Sequence, residues 1–235
     1  MTDCAAGPVV LLHGCGGSAV EAFVESGWVG SLATAGREAC VLDLPGHGGA
    51  GCSHRPQDYA DLAGSLAGLL PPGHFDIVGF SLGAKLALEL LLRLPGRVGR
   101  AVLGGLGDNA FAPERVAPAV ASLLEEGPTA DTPPPVLAFL REWNPSRNDA
   151  LAVAAVLRRP ANPVFTPERL RHIAVPLLLV NGAEDPLGKQ SDALVAALPG
   201  LRVLTLPGTA HFDLPRDPRF QRHAIDFLCT PRTTT

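Results

Sequence analysis

Residues 75–85 read F-D-I-V-G-F-S-L-G-A-K, and their reading decides how the rest of the chain is read. Residues 75–78 are a short apolar, partly β-branched run between turn signals, the pattern of a buried strand. Residues 84–92 are dominated by Ala and Leu, which favour helix. The five residues between, Gly79-Phe80-Ser81-Leu82-Gly83, must pass from strand to helix in one tight turn. At such a turn the positions two before and two after the apex must lack bulk, and the apex serine then carries an exposed hydroxyl. The following helix directs its positive end at the space where an anion next to that hydroxyl would form. A glycine-rich turn with an incidental serine is the bland alternative. The strand before and the helix after favour the elbow.

Working outward, residues 8–12 (P-V-V-L-L) form a continuous apolar run that ends in His13-Gly14-Cys15-Gly16-Gly17. A continuous run, rather than alternation, suggests a strand covered on both faces, as in a parallel sheet. Residues 38–42, 100–104, 175–180 and 201–206 read as further strands. Helical patterns fill 21–35, 59–70, 84–92, 192–198 and 220–228, with Leu62, Leu66 and Leu69 on one face of the second. Between about 107 and 162 no strand is expected. Proline-bounded amphipathic segments at 114–126, 136–143 and 149–158 read as a helical insertion. The domain reading is a core of 1–106 and 163–235 with a cap at 107–162. Six strands alternating with helices predict an α/β fold: a six-stranded parallel sheet with right-handed crossovers and helices on both faces. Reactive groups collect at the carboxyl ends of such strands. His13-Gly14-Cys15, Asp43, Ser81, Asp108, Asp185 and His211 all fall there.

The composition narrows the classes. The chain has 235 residues, 46% hydrophobic and 18% charged, with net charge −4 and no basic stripe, so nucleic acid is not an expected partner. Five cysteines, Cys4, Cys15, Cys40, Cys52 and Cys229, show no metal spacing and no framework of pairs. Reduced thiols and the absence of a signal-like start predict a cytoplasmic protein, and no apolar run is long enough to span a membrane. No metal and no cofactor is expected, and the oligomeric state is not readable.

A serine hydroxyl becomes a nucleophile when a base takes its proton in the transition state, and that base needs a carboxylate to orient it. Seven histidines are available. His13 and His47 lie in glycine turns and read as loop-bracing. His54, His74 and His172 lie in connectors, and His223 lies inside a helix. His211 follows the sixth strand across Pro207-Gly208-Thr209-Ala210, a mobile-looking loop over the sheet, and is the candidate base. Asp185 follows the fifth strand, held extended by Pro186, and is the candidate orienting acid. Asp108, past the fourth strand, is its rival. The backbone N–H groups of Leu82 and Cys15 are the candidate oxyanion donors. A Cys15 thiol nucleophile has no paired base in the sequence.

With these residues in place the chain resembles the α/β-hydrolase superfamily. H-G-C-G-G (13–17), D-L-P-G-H-G (43–48), G-F-S-L-G (79–83), N-G-A-E-D-P (181–186) and G-T-A-H-F (208–212) carry the resemblance, in the order Ser81, Asp185, His211. It implies that 107–162 is a helical cap shaping the substrate pocket. Two departures stand out. Only about seven residues precede the first strand, where the family opens with an antiparallel hairpin. Ala84-Lys85 follows the elbow, and Lys85 in a helix's first turn reads as solvated or ion-paired. The resemblance implies a serine hydrolase of small esters, lactones or thioesters. One alternative is a lyase of the menaquinone-pathway synthase type, whose polyanionic substrate would need basic residues such as Arg141, Arg158 and Arg159. Another is a non-catalytic binder of small ligands. Trp28, Phe80, Phe111, Phe139 and Trp143 are candidate pocket residues. With aromatics at only 5%, the walls are expected to be mainly aliphatic.

Overall fold

A computed structural model describes residues 7–112, 114–160 and 165–230. Six strands, β1 (Val9–Leu12), β2 (Ala39–Leu42), β3 (Phe75–Phe80), β4 (Val98–Gly104), β5 (Leu177–Gly182) and β6 (Arg202–Leu206), form one sheet in the order β2-β1-β3-β4-β5-β6. Every pairing is parallel. The continuous apolar runs are explained by where alternate residues go. Val10, Leu12, Ile77, Ala101, Leu103 and Leu179 join the core on one face, whereas Val9, Leu11, Val78, Val102 and Val180 join the core on the other. A strand apolar on both sides is what a sheet sandwiched between helices requires.

Helices α2 (Leu62–Ala67), α3 (Leu82–Arg93) and α8 (Asp192–Ala197) cover the first face. Helices α1 (Trp28–Thr34) and α9 (Pro218–Cys229) cover the second. The strand order reverses between β1 and β3. The chain therefore leaves β1 toward one face and β3 toward the other, which opens a crevice at their carboxyl ends.

Between β4 and β5 lie α4 (Ala117–Glu126), α5 (Pro134–Glu142), α6 (Ala150–Leu157) and the short α7 (Pro167–Leu170). The described residues of the expected insertion contain no strand. Its expected boundary at 162 and its link at 113 lie outside the described residues, as do Cys4 and the Thr-rich tail. Helix α6, A-L-A-V-A-A-V-L, is not amphipathic as expected; five of its residues are buried, and α4 packs along it. Among the described residues no strand is antiparallel.

Two other expectations fail locally. The helix expected over 21–35 is split into a five-residue π-helix, Val20–Val24, and α1, because Gly27 between them takes φ 90°. The helix expected over 59–70 is a 3-10 turn, Pro56–Tyr59, followed by α2, which Asp61 caps by accepting from the Gly64 N–H. Helix α2 stops at Ala67, so Leu69 is exposed rather than on the apolar face.

Candidate active site

Ser81 sits between β3 and α3 with φ 54° and ψ −112°, the one non-glycine residue with positive φ among the described residues. Its surroundings enforce this. A Cβ on Gly79 would overlap the Gly83 carbonyl, and one on Gly83 would overlap the Leu12 carbonyl. The spacing of the two glycines is thus a packing requirement between β1, β3 and α3. The Ser81 N–H donates to Gly104 O at 2.8 Å, which ties the apex to the end of β4.

Three candidate residues meet at this point. His211 Nε2 lies 3.1 Å from Ser81 Oγ, and His211 Nδ1 lies 2.8 Å from Asp185 Oδ2. Asp185 is wholly buried and His211 nearly so. The other Asp185 oxygen accepts from the Leu187 N–H at 2.8 Å, so the carboxylate is fixed from both sides. Glu184 is exposed. The rival Asp108 is occupied elsewhere, accepting from the Leu194 N–H at the start of α8. The His211 ring rests beside Phe80, with centroids 4.9 Å apart, and over Gly105. There φ is +64°, and an added Cβ would come within 3.0 Å of the imidazole Cε1.

The loop carrying His211, mobile-looking in sequence, is pinned in the structure. Thr209 is buried, its carbonyl accepts from the Glu184 N–H, and its hydroxyl donates to Asp217. Hydrogen bonds from the Arg219 guanidinium hold the Asp217 carboxyl down at about 2. Asn181, at the end of β5, bonds Leu106 and Gly188 through its side-chain amide and so joins the β4 and β5 loops. Sequence reasoning singles out neither Thr209 nor Asn181. Their role depends on which loops become neighbours, and no local pattern encodes that.

The glycine loop after β1 lies against the elbow; a Cβ on Gly14 would sit 3.3 Å from Ser81 Cβ. As expected, His13 and His47 brace loops. The Leu44 N–H donates to His13 Nε2 at 3.0 Å, and His13 Nδ1 donates to Gly14 O at 2.7 Å. His47 Nδ1 donates to Pro45 O. Burial lowers the pKa of both rings, His47 to about 3, so both are neutral. Leu82 opens α3, so its N–H has no acceptor within the helix. Burial pushes the Cys15 thiol up to about 12, which makes it a poor nucleophile.

A cleft beside the elbow is lined by Phe80, Phe139, Trp143, Phe212, Cys15 and Gly16, among others. Ser81 and His211 are not in its lining, but the residues next to them are. Phe139 packs on the Gly16 backbone, nearly parallel to Trp143 at 6.1 Å and edge-on to Phe212 at 6.5 Å. The wall is therefore aromatic, not mainly aliphatic, because the few aromatics are concentrated here. Two pocket candidates lie elsewhere. Trp28 is buried beneath the sheet against Phe23 and Phe220, with its indole N–H donating to Pro215 O. Phe111 packs on the core of the α3 face. Phe212 lines the cleft and escapes the sequence reading, although its place beside His211 is a usable signal.

Arg158 is held by Glu125 and Ser122, and Arg159 donates to Val156 O. Neither they nor Arg141 lines the cleft. Lys85 is ion-paired with Glu114 at 3.0 Å. Among the described residues no group of three or more His, Cys, Asp or Glu side chains could hold a metal ion, and no helix is long and apolar enough to cross a membrane.

No curated protein matches the chain. Solved structures share the fold. An enol-lactonase from Burkholderia xenovorans aligns with TM-score 0.75 at 23% identity, over 96% of this chain and 92% of its own. A thermophilic esterase from Thermogutta terrifontis aligns with TM-score 0.71 at 21% identity, over 94% and 89%. NosK from Streptomyces actuosus aligns with TM-score 0.65 at 25% identity, over 95% and 97%. The model of the alpha/beta hydrolase family matches residues 9–221, which span all six strands and include Ser81, Asp185 and His211, and the chain belongs to that family.

Proposed function

We propose that the protein is a serine hydrolase that cleaves a small carboxylic ester, lactone or thioester through an acyl-enzyme on Ser81. The observation that carries this reading is the unbroken run of hydrogen-bond distances from Asp185 through His211 to Ser81, 2.8 Å and 3.1 Å. In the proposed reaction Ser81 Oγ attacks the carbonyl carbon and its proton passes to His211 Nε2. The carbonyl electron pair moves onto oxygen, which the N–H groups of Cys15 and Leu82 hold. Collapse of this intermediate breaks the bond to the alcohol or thiol, which takes the proton from His211. Water then attacks the acyl carbon while His211 again accepts the proton. As the bond from the acyl carbon to Ser81 Oγ breaks, that proton returns to Ser81 Oγ and the free acid leaves. Asp185 orients the ring and stabilises its cationic form without itself taking the proton.

The aromatic cleft suits an apolar group on the substrate; Arg158 and Arg159 lie outside it, and Arg216, which lines it, is paired with Glu142, which weighs against a polyanionic one. Free thiols at Cys15, Cys40 and Cys52 accord with a reducing, cytoplasmic setting. Labelling by a fluorophosphonate probe at Ser81, together with turnover of short p-nitrophenyl esters that Ser81→Ala abolishes, is the expected result. If the wild type shows neither, the reading is wrong.

A further inference from the structure

The segment between α5 and α6 is joined to the core by a series of side chains. Asn144 donates to Glu21, Arg147 pairs with Glu25, and Asp149 lies 3.0 Å from His54. Asn148 differs from these in being buried and in bonding only to backbone. Its Nδ2 donates to Gly16 O at 3.0 Å, and its Oδ1 accepts from the Gly48 N–H at 3.0 Å. Gly16 and Gly48 belong to the two glycine loops, after β1 and β2, and both have positive φ. One amide from the helical segment thus spans both loops.

The peptide between Gly16 and Gly17 gives this contact a direction. In a trans peptide the C=O and N–H point opposite ways, so Gly16 C=O and Gly17 N–H belong to one planar unit. The Gly17 N–H donates to Gly14 O at 3.2 Å. Gly14 C=O shares its planar unit with the Cys15 N–H. The bonds therefore run in series from the Gly48 N–H to Asn148 Oδ1, from Asn148 Nδ2 to Gly16 O, and from the Gly17 N–H to Gly14 O. The series ends at the Cys15 N–H, next in the chain to Gly14, whose backbone lies against Ser81. Each bond accepted at a carbonyl makes the N–H of the same amide a stronger donor.

We infer that Asn148 is a positioning residue that aims and polarises the Cys15 N–H toward the oxyanion through this chain of three amides. The inference rests on the serine-hydrolase reading above and adds to it a part played by the helical segment in the transition state. His13 donates to the same Gly14 oxygen from the core side, so the 14–15 peptide is held by two routes, and loss of Asn148 removes one of them.

The test uses full-length protein, p-nitrophenyl acetate as substrate and phenylboronic acid as the tetrahedral mimic. Asn148→Leu removes both amide bonds. Asn148→Asp keeps the shape and the acceptor for Gly48 but loses the donor to Gly16. The expected result for each folded variant is a kcat lowered roughly five- to thirty-fold, less than the 10²–10³ of deleting a donor outright. Boronate affinity should fall in parallel, while KM and the affinity for a non-reacting ketone analogue stay within about twofold. A merely structural Asn148 would lower the melting temperature without separating boronate from ketone binding. If Asn148→Leu does not fold, Asn148→Asp carries the measurement. An unchanged kcat, or a loss confined to KM, overturns the inference. The Ser81→Ala control separates the two levels: wild-type turnover that survives it, or no wild-type turnover at all, sinks the serine reading first and this inference with it.

Discussion

Two buried carboxylates sit at opposite ends of the sheet. At the amino end, Asp76 of β3 receives a hydrogen bond from Arg37 Nη2 at 2.7 Å, and the same guanidinium also reaches Gly7 O and Leu228 O. At the carboxyl end, Asp185 lies 2.8 Å from His211 Nδ1. Burial and distance are nearly the same. The difference is the partner. Arginine keeps its charge at all working pH, and here it ends in backbone carbonyls, so no proton can move along the network. Histidine can gain and lose a proton, and its second nitrogen faces a hydroxyl. A buried ion pair therefore does not mark chemistry. A titratable group between a carboxylate and a hydroxyl is what the proposed reaction uses.

The contrast breaks first at the serine. Ser81→Ala should lower kcat by roughly 10³-fold or more and leave the melting temperature nearly unchanged, with Asp185→Asn costing roughly 10²–10⁴. Steady-state kinetics beside a thermal melt check this. Asp76→Ala should do the reverse. It strips a buried guanidinium of its carboxylate and should cost about 3–5 kcal/mol in urea unfolding, while kcat of the folded enzyme stays within about twofold. Lost turnover in folded Asp76→Ala would mean the two ends are not separable.

A third prediction concerns the neutral histidines beneath the glycine loops. Burial lowers the pKa of both rings, that of His47 from 6.5 to about 3. The unfolded chain then binds more protons than the folded one below pH 6.5. Stability should be fully present above that pH and decline toward pH 3, by several kcal/mol in all. Replacing His47 with Gln should flatten that slope. The smallest effect belongs to the exposed pair Arg216–Glu142, 2.9 Å apart at the rim of the cleft. Arg216→Ala should change stability by less than about 1 kcal/mol, and the change should vanish in high salt.

Much of the fold and the site is legible in the chain because it is local. Residues 8–12 are apolar without alternation, and 75–78 are apolar but for Asp76, which implies doubly covered strands. Gly79 and Gly83 flank Ser81 at a fixed spacing, and the overlap of any Cβ there with backbone shows why. His211 and Asp185 fall just past strand ends, so the sheet brings them near Ser81. The illegible part depends on chance of neighbourhood. Trp28 and Trp143 look alike in sequence; one is buried under the sheet and the other lines the cleft. Leu69 continues the apolar spacing of Leu62 and Leu66 but lies beyond the end of its helix. Asn148 and Asn181 are single polar residues that tie together backbone groups of loops, most of them far away in the chain.

The backbone at residue 81 has a further consequence. Positive φ on a side chain that does not prefer it costs on the order of 1 kcal/mol or more, and glycine would escape that cost. Relief of that strain should match or exceed the roughly 0.4–1 kcal/mol that glycine adds to the freedom of the unfolded chain, so Ser81→Gly should melt at or above the temperature of the parent while, on the proposed function, being inert. At this one position durability and turnover pull in opposite directions, so a screen for thermal tolerance alone would favour dead protein.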